Sequence, residues 1–468
     1  MEPEPGDGRG RERSAGVGSS TPGAASVPSG APASGGVPIP AADADLAGEL
    51  APEDREIVGA IAARAPWITE ALAALVERDT TLGNEAAGQE VVRERFRELG
   101  LEPVDVPMDA DALRAHPLAS PFDWDVAEKR NVVATWGPGD PDHGRSLILN
   151  GHVDVVPPEP RARWAHDPFT ARVDGDWLTG RGAADMKCGL AAVMGAVRGL
   201  RDLGLEPHAP VQLQSVVEEE ITGNGTLACL LAGHTADAAV IAEPFGAAIT
   251  TSQVGVLWFR VRISGAPGHA AEPASVNAIE QSLGMIGALR ALEAEMNAAA
   301  PPPYDAYDHP IGLNVGAIHG GEWASTVPGA CVTDYRIALY PGMRVRDLQG
   351  RIEAIVAAAA AEDPTLAEQP PAVEYRGFAC EGYEIDADHP LVTTLAGAYA
   401  RRTGAAPALV ATTGTTDARI FGGLGVPAVC FGPFAEHAHG VDERAYLPSV
   451  VQTAQVLGLF IRDWSGLS

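Results

Sequence analysis

The chain has 468 residues, of which 46% are hydrophobic and 20% are charged, so it is long enough to form several globular domains. Its 33 basic and 62 acidic residues give a formal net charge of −29, which disfavours nucleic acids and anionic membranes as partners held by overall charge. The sequence contains no apolar run of the roughly 18 residues that a membrane span needs.

The cysteines are odd in number and widely spaced, and no C-x-x-C motif occurs among them. They are Cys188, Cys229, Cys331, Cys380 and Cys430. This pattern disfavours a disulfide framework and a structural zinc site. We therefore expect five buried thiols in a reducing compartment, the cytoplasm.

The beginning of the chain reads as a disordered tail followed by an α/β layer. Residues 1–45 are rich in Gly, Pro, Ser and Ala and predict disorder. Two helices follow, at 53–78 with a break at Pro66 and at 84–99. Strands and helices then alternate, as is typical of an α/β domain with a mixed, mostly parallel sheet. The predicted strands are 146–150, 211–217 and 238–242, and the helices between them are 186–203 and 226–232.

The pattern changes near residue 250. Residues 256–263 alternate, with apolar side chains such as Phe259 on one face and Arg260 and Arg262 on the other, which predicts a half-exposed antiparallel strand. A β-α-β-β-α-β series results, typical of a ferredoxin-like α+β sandwich. Its remaining elements are a helix at 276–297, strands at 312–319 and 330–339, a helix at 345–361 and a strand at 373–378.

The chain after residue 378 returns to the first pattern, with a helix at 390–402 and strands at 408–410 and 427–431. We therefore predict one catalytic α/β domain that is interrupted by an inserted α+β domain. The tail would cover residues 1–45 and the inserted domain residues 251–378. The catalytic domain would be built from the two flanking segments, 46–250 and 379–468.

Acidic and histidine residues follow several of the predicted strands. In an open α/β sheet, ligands bind beyond the carboxyl ends of the strands. The residues there, together with one carboxylate before the helix at 186, are His152, Asp154, Asp185, Glu218, Glu219, Glu220, Glu243, His437 and His439. Each one alone has an ordinary explanation as a surface or capping residue. Clustered carboxylates would repel one another without a cation, so the set predicts two divalent metal ions. Mixed His and carboxylate ligands suit zinc, with cobalt or manganese as alternatives.

Seven motifs occur in order between about residues 130 and 445. They are GHVDVVP, GRGAADMKCG, EEEITGNGT, AEP, GAPGHAAEP, GTTDAR and AHGVDE. In these motifs the sequence resembles the co-catalytic zinc family of aminoacylase, acetylornithine deacetylase, succinyl-diaminopimelate desuccinylase and the glutamate carboxypeptidases.

The resemblance implies a role for each metal-binding residue. His152 and Glu243 would bind one zinc ion, and Glu220 and His439 would bind the other. Asp185 would bridge the two ions, and a cis peptide bond would follow it.

The resemblance also implies the catalytic residues. Glu219 would be the general base, and Asp154 would hydrogen-bond His152 and fix its tautomer. His269 of the partner subunit would stabilise the oxyanion, which implies a homodimer formed through the inserted domain.

Two assignments stay open at this point. The family commonly has Asp where this chain has Glu218, and the run of three glutamates leaves Glu218 and Glu219 as an alternative base and ligand. The AHGVDE motif favours His439 over His437.

The resemblance also implies that a substrate carboxylate would be held by Arg419 and Asn314, with Arg336 as a further candidate; an arginine fork is well suited to a carboxylate. The alternatives are an ordinary ion pair for each arginine and a turn or strand-edge position for Asn314.

The implied function is metal-assisted hydrolysis of a small N-acyl amino acid or N-acyl amine, of the acetylornithine deacetylase or succinyl-diaminopimelate desuccinylase type. A metallo-carboxypeptidase or dipeptidase, a formylaminopyrimidine deformylase and a catalytically silent binding relative are the alternatives. No G-x-S-x-G motif occurs and Cys188 has no evident histidine partner, which disfavours a serine or cysteine nucleophile.

Overall fold

A computed structural model describes residues 50–137, 144–272 and 275–468, and the predicted disordered tail 1–45 lies outside these ranges. The elements before the inserted segment are α1 (Pro52–Ala62), α2 (Ala65–Val76), α3 (Ala86–Glu98), β1 (Val104–Pro107), α4 (Ala110–Ala115), β2 (Arg130–Trp136), β3 (Leu147–His152), β4 (Arg172–Asp174), β5 (Trp177–Thr179), α5 (Cys188–Asp202), β6 (Val211–Val216), α6 (Asn224–Leu231), β7 (Ala239–Ile241) and β8 (Ile249–Gln253).

The elements of the inserted segment are β9 (Gly255–Ser264), α7 (Ala278–Ala298), β10 (Leu313–Gly320), β11 (Ala330–Leu339), α8 (Val345–Ala361), α9 (Pro364–Glu368) and β12 (Ala372–Cys380). The remaining elements are β13 (Tyr383–Glu384), α10 (Pro390–Thr403), β14 (Leu409–Thr412), α11 (Ala418–Gly423), β15 (Ala428–Cys430), β16 (Ala435–Glu436), β17 (Arg444–Tyr446) and α12 (Leu447–Ser465).

The main sheet is mixed, as predicted, with a parallel centre and antiparallel flanks. Its strand order is β1-β2-β6-β3-β7-β15-β8-β13, and β14 pairs with β8. The four central strands, β6, β3, β7 and β15, run parallel to one another. The apolar run Leu147–Leu149 is buried on both faces, as a central parallel strand requires.

Helices α1, α5 and α12 pack together beside this sheet. The approach is close, because a Cβ added at Gly199 of α5 would lie 2.3 Å from Cγ1 of Ile61 in α1. The predicted helix at 53–78 is indeed broken before Pro66, which lies in the first turn of α2. Within the described residues, no single helix is long and apolar enough to cross a membrane, and α1 and α2 meet that test only together, as a pair bent by 47°.

The inserted segment forms a second, fully antiparallel sheet of order β10-β11-β9-β12. Alternate side chains of β9, including Phe259, point into a separate core with residues of α7 and α8 such as Leu289 and Ile352. On the opposite face Arg260 pairs with Asp334 at 2.6 Å. The ferredoxin-like sandwich is therefore confirmed, and its separate core supports the domain boundaries at 250 and 378, which stay a proposal.

The five cysteines are unpaired and buried. A small third sheet, of order β16-β17-β5-β4, lies next to the turn that precedes α5. This sheet has a direct bearing on the site, since one predicted metal ligand lies in the loop between β16 and β17.

Candidate metal centre

The central strands deliver most of the candidate residues to one edge of the main sheet. His152 is the last residue of β3, Glu218–Glu220 follow β6, and Glu243 follows β7. These strands are parallel neighbours, so their carboxyl ends share an edge. Asp185 comes from the turn that precedes α5, and His439 comes from the loop between β16 and β17.

The first group of possible ligands consists of His152, Asp185 and Glu243, whose ligand atoms all lie within 4.8 Å of one another. Nε2 of His152 is 3.3 Å from Oδ1 of Asp185 and 3.8 Å from Oε1 of Glu243. His152 and Glu243 are buried, while Asp185 is partly exposed. The group can therefore offer one imidazole nitrogen and two carboxylates to a single cation.

The second group consists of Asp185, Glu220 and His439, again within 4.8 Å of one another. Nε2 of His439 is 3.3 Å from Oδ2 of Asp185 and 3.0 Å from the carboxylate of Glu220. Asp185 thus belongs to both groups and presents one oxygen to each. The structure brings together the five residues that the resemblance names as ligands, in the same two sets.

The contact that orients His152 differs from the prediction. Nδ1 of His152 lies 2.9 Å from the backbone carbonyl oxygen of Asp154, whereas the nearer carboxylate oxygen of Asp154 is 3.6 Å away. The Asp154 carboxylate instead accepts a hydrogen bond from the backbone N–H of Glu220 at 3.0 Å. The prediction that this carboxylate hydrogen-bonds His152 is therefore wrong, because Nδ1 of His152 faces the backbone oxygen of Asp154 instead. An Nδ1–H that donates to this carbonyl leaves the lone pair of Nε2 facing the carboxylates.

Unpaired buried atoms show that the cluster fits divalent cations. Among the described residues, Nε2 of His152 and Oε1 of Glu219 are buried without a hydrogen-bond partner. Burial raises the pKa of Glu219 well above its usual value, against the charge of His152 and with the charges of neighbouring carboxylates such as Asp417. Burial together with the charge of Asp185 does the same for the pKa of Glu243. A divalent cation would relieve this repulsion and take up the unpaired atoms.

Glu219 lies next to the first group and is a member of neither group. Its Oε2 is 3.8 Å from Nε2 of His152, and the residue is 6% exposed. A carboxylate in this position, close to the first group and free of direct ion pairs with Lys or Arg in the described residues, can accept and return a proton.

Glu443 is a site residue that the sequence analysis missed. Its Oε1 accepts hydrogen bonds from the backbone N–H groups of Ala184 at 2.8 Å and Asp185 at 2.9 Å, and its Oε2 pairs with the buried Arg181. The peptide bond between Asp185 and Met186 is cis, as the resemblance predicts. Glu443 belongs to the AHGVDE motif, so the signal was present in the sequence but only the histidine of that motif received a role.

Arg419 is buried, and both of its Nη atoms donate to backbone carbonyls, while its Nε has no partner among the described residues. Nη1 donates to the carbonyl oxygen of Thr416 at 2.7 Å, and Nη2 donates to that of Thr222 at 3.0 Å. The Phe378 ring covers the guanidinium at 5.1 Å. Asp417, also missed by the sequence analysis, lies 3.6 Å away and accepts a hydrogen bond from Thr226 at 2.5 Å. Arg419 therefore connects two loops of the site through both Nη atoms.

The other candidate substrate residues lie on the inserted sheet. Asn314 of β10 pairs directly with Arg336 of β11, which in turn pairs with Trp258 of β9, so the three side chains share one face. Trp258 packs edge-on against Phe378 at 5.4 Å, and that contact brings this face next to Arg419. The Arg336 guanidinium has no ion pair within the described residues.

His269 lies away from the cluster of its own chain. It is exposed, pairs with Thr326 in an isolated β-bridge, and accepts a hydrogen bond at Nδ1 from Ala271 at 3.2 Å. The structure therefore does not place it among the candidate ligands, and its predicted role depends on a second subunit.

The two histidines of one loop provide a matched test of the ligand set. His439→Ala is expected to lower the affinity for the second metal ion by at least the 10- to 100-fold that loss of an outer-shell partner causes, because a direct ligand is removed. His437→Ala is the control, since His437 lies outside both groups and has the same left-handed backbone, with φ of 61° against 62°. Metal titration of both variants measures the difference, and equal losses would contradict the assignment.

A family model described as Peptidase family M20/M25/M40 matches residues 148–463. Among curated relatives, N-formyl-4-amino-5-aminomethyl-2-methylpyrimidine deformylase of Halalkalibacterium halodurans is 30% identical over 369 residues, which cover 74% of this chain and 85% of the relative. Succinyl-diaminopimelate desuccinylase of Dinoroseobacter shibae is 31% identical over 346 residues, covering 71% of this chain and 87% of the relative. A di-peptidase from Saccharomyces cerevisiae shares the fold, with a TM-score of 0.71 and 16% identity over 88% of this chain and 98% of the other.

Proposed function

Since the chain belongs to peptidase family M20/M25/M40, we propose that it is a di-zinc deacylase that releases an amine from a small N-acyl amino acid or N-acyl amine. The chain is a metal-dependent hydrolase of amide bonds. The observation that supports the proposal most directly is the position of Asp185, which presents one carboxylate oxygen to each of two ligand groups. An arrangement of this kind would let one carboxylate serve both ions.

In this proposal His152 and Glu243 would hold one ion, Glu220 and His439 would hold the other, and Asp185 would offer one carboxylate oxygen to each. Imidazole and carboxylate ligands suit zinc, and cobalt or manganese can take the same donors. When bound, such a pair of ions supplies a nucleophilic water at neutral pH and polarises the amide carbonyl.

Glu219 carries the proton in this mechanism. Its carboxylate accepts a proton from the attacking water and hands it to the leaving amine, so that a carboxylate and a free amine leave the site. The raised pKa of Glu219 suits a group that must both take and return a proton. His269 of the partner subunit would donate to the oxyanion, which requires a homodimer through the inserted domain; the exposure of His269 supports this reach.

We assign a substrate carboxylate, where the substrate has one, to Arg336 and Asn314 rather than to Arg419. The guanidinium of Arg336 is free of ion pairs among the residues that the structure describes, whereas both Nη atoms of Arg419 donate to backbone carbonyls. Five unpaired thiols support the cytoplasm as the compartment.

A formylaminopyrimidine deformylase is the second candidate. It is favoured by the similarity to the Halalkalibacterium halodurans deformylase and by the engaged state of Arg419, since that substrate has no carboxylate. The two candidates share the metal centre and the base and differ in the need for Arg336.

A substrate panel tests the proposal. Amine release is measured from N-succinyl and N-acetyl amino acids, an N-formyl aminopyrimidine and a dipeptide, with Zn²⁺ or Co²⁺ and with a chelator. We expect release that the chelator abolishes. Arg336→Met should raise KM at least tenfold for carboxylate substrates, because a hydrogen bond to a charged group contributes about 1.5–3 kcal/mol. The same variant should leave KM for the formyl substrate unchanged.

Release from no member of the panel by a protein that binds two metal ions would contradict the proposal and favour a silent binding relative. An equal KM change for charged and uncharged substrates would contradict the assignment of Arg336.

A further inference from the structure

The first glutamate of the Glu218–Glu220 run has no role in the mechanism, yet its side chain is fully buried. Its Oε1 accepts a hydrogen bond from Nε1 of Trp124 at 2.7 Å and forms an ion pair with Nζ of Lys129 at 3.1 Å. Its Oε2 accepts from the hydroxyl of Thr222 at 3.1 Å. Lys129 also pairs with the buried Glu85, so one largely buried cation serves two carboxylates. We call Glu218 and its partners Trp124, Lys129 and Thr222 the Glu218 clamp.

The backbone at Glu218 has a strained conformation, and the contacts of the Glu218 clamp can stabilise it. Its φ is 63°, in the left-handed region that a residue with a Cβ avoids, at a cost of about 1–3 kcal/mol. The carbonyl oxygen of Glu218 accepts hydrogen bonds from the N–H groups of Thr222 at 3.0 Å and Gly223 at 2.8 Å. Gly223 has φ of 73°, and a Cβ there would lie 2.3 Å from Nη2 of Arg419. Side chain and backbone of Glu218 therefore fix both ends of one turn.

This turn decides where the next two side chains point. Directly after it, Glu219 lies 3.8 Å from Nε2 of His152, and Glu220 lies 3.0 Å from Nε2 of His439. If Glu218 relaxed to a right-handed or extended conformation, the chain direction would change and the two carboxylates would leave these positions.

Stability alone is a weak explanation for such a clamp. A buried ion pair often stabilises a fold no more than well-packed apolar residues do, because both charges lose their hydration. We propose that Glu218 is a positioning residue: clamped by Lys129 and Trp124, it holds the left-handed turn that aims Glu219 at the first ligand group and Glu220 at the second. The inference rests on the proposed function, in which Glu219 is the base and Glu220 a metal ligand.

Glu218→Gln and Glu218→Asp test the proposal, with Asp54→Asn as the control. Asp54 is also a buried carboxylate paired with two cations, Arg401 and Arg462, but it lies on α1, away from the cluster. Each variant is measured for kcat, KM, thermal unfolding and the visible absorption spectrum of the Co²⁺-loaded protein. The spectrum reports the ligand geometry independently of turnover.

We expect Glu218→Gln to lower kcat by about 10- to 100-fold, with KM little changed and an altered Co²⁺ spectrum. Glu218→Asp keeps the charge and should recover part of the loss. Trp124→Phe removes one hydrogen bond while keeping an aromatic ring, and should give a smaller fall in kcat than Glu218→Gln. Asp54→Asn should lower the unfolding temperature but leave kcat and the spectrum as in the wild type.

The proposal is overturned if folded Glu218→Gln protein keeps the wild-type kcat and Co²⁺ spectrum, since the clamp would then serve stability only. If Glu218→Gln does not fold, Trp124→Phe with unchanged kcat and spectrum overturns the proposal in the same way. Failure of the proposed function is distinct, because the wild type itself would then release no amine, while the Co²⁺ spectra of the variants would still report whether Glu220 moves.

Discussion

Replacing Glu219 with glutamine is expected to lower kcat by about 10²–10⁴-fold, the range over which a positioned general acid–base group accelerates proton transfer. The amide keeps the size of the side chain but cannot take a proton from water. Because Glu219 belongs to neither ligand group, the variant should still bind two metal ions. Single-turnover and steady-state rates of amine release, together with the metal content of the protein, measure the effect.

The comparison with Glu218→Gln decides the register of the three glutamates. Both variants remove one buried negative charge from the same loop, and both residues are nearly inaccessible to solvent. The loss should be larger for Glu219, which faces His152, than for Glu218, which faces Lys129. A smaller effect at Glu219, or loss of a metal ion there, would contradict its role as the base.

Periodicity was sufficient to predict the elements that bury one or both faces. The apolar run of β3 and the alternation of β9 identify a central and a half-exposed strand, and both lie where predicted. It was insufficient for α12, whose buried surface includes the polar residues Gln452, Thr453 and Gln455 and so lacks a clean apolar stripe. The two- and three-residue strands β4, β5, β16 and β17 are too short to show a period of two.

The candidate site likewise has features that the sequence predicts and features that it does not. The motifs were sufficient to name the residues that form the two ligand groups, because most of them follow a strand whose end is visible in the sequence. The contacts that orient those residues are set by the folded chain. Neither the backbone oxygen of Asp154 that contacts His152 nor the pairing of Glu218 with Lys129 leaves a local pattern. The engaged donors of Arg419 depend on the same kind of packing.

Three buried or nearly buried cations around the site share one arrangement in this acidic chain. They are Lys129, Arg181 and Arg419. Each pairs with a carboxylate that is not itself a predicted metal ligand. These carboxylates are Glu218, Glu443 and Asp417. Each pair neutralises a carboxylate near the cluster. The ligand carboxylates themselves have no Lys or Arg partner within the described residues. The arrangement supports a centre whose remaining negative charge is reserved for metal ions.

Replacing Asp185 with alanine is therefore expected to have the second very large effect, the loss of both metal ions. Without the shared carboxylate, His152 and Glu243 form one two-ligand remnant, and Glu220 and His439 form the other. Each affinity should fall by at least about 10²-fold, the upper end of the loss from removing an outer-shell partner, and amine release should fall with it. Isothermal titration with Zn²⁺ and the metal content after dialysis measure both sites.

Asp202→Asn is the control for this experiment, because Asp202 ends the same helix that Asp185 precedes and pairs with Arg64 and Arg198 at the surface. It should bind two ions and keep the wild-type kcat. Asp185→Asn separates the charge from the shape of the bridging residue, since it keeps the size of the side chain but offers a single neutral oxygen. Loss of one ion alone in the alanine variant would show that Asp185 serves one group rather than both, because a bridging carboxylate cannot be removed from one ion without being removed from the other.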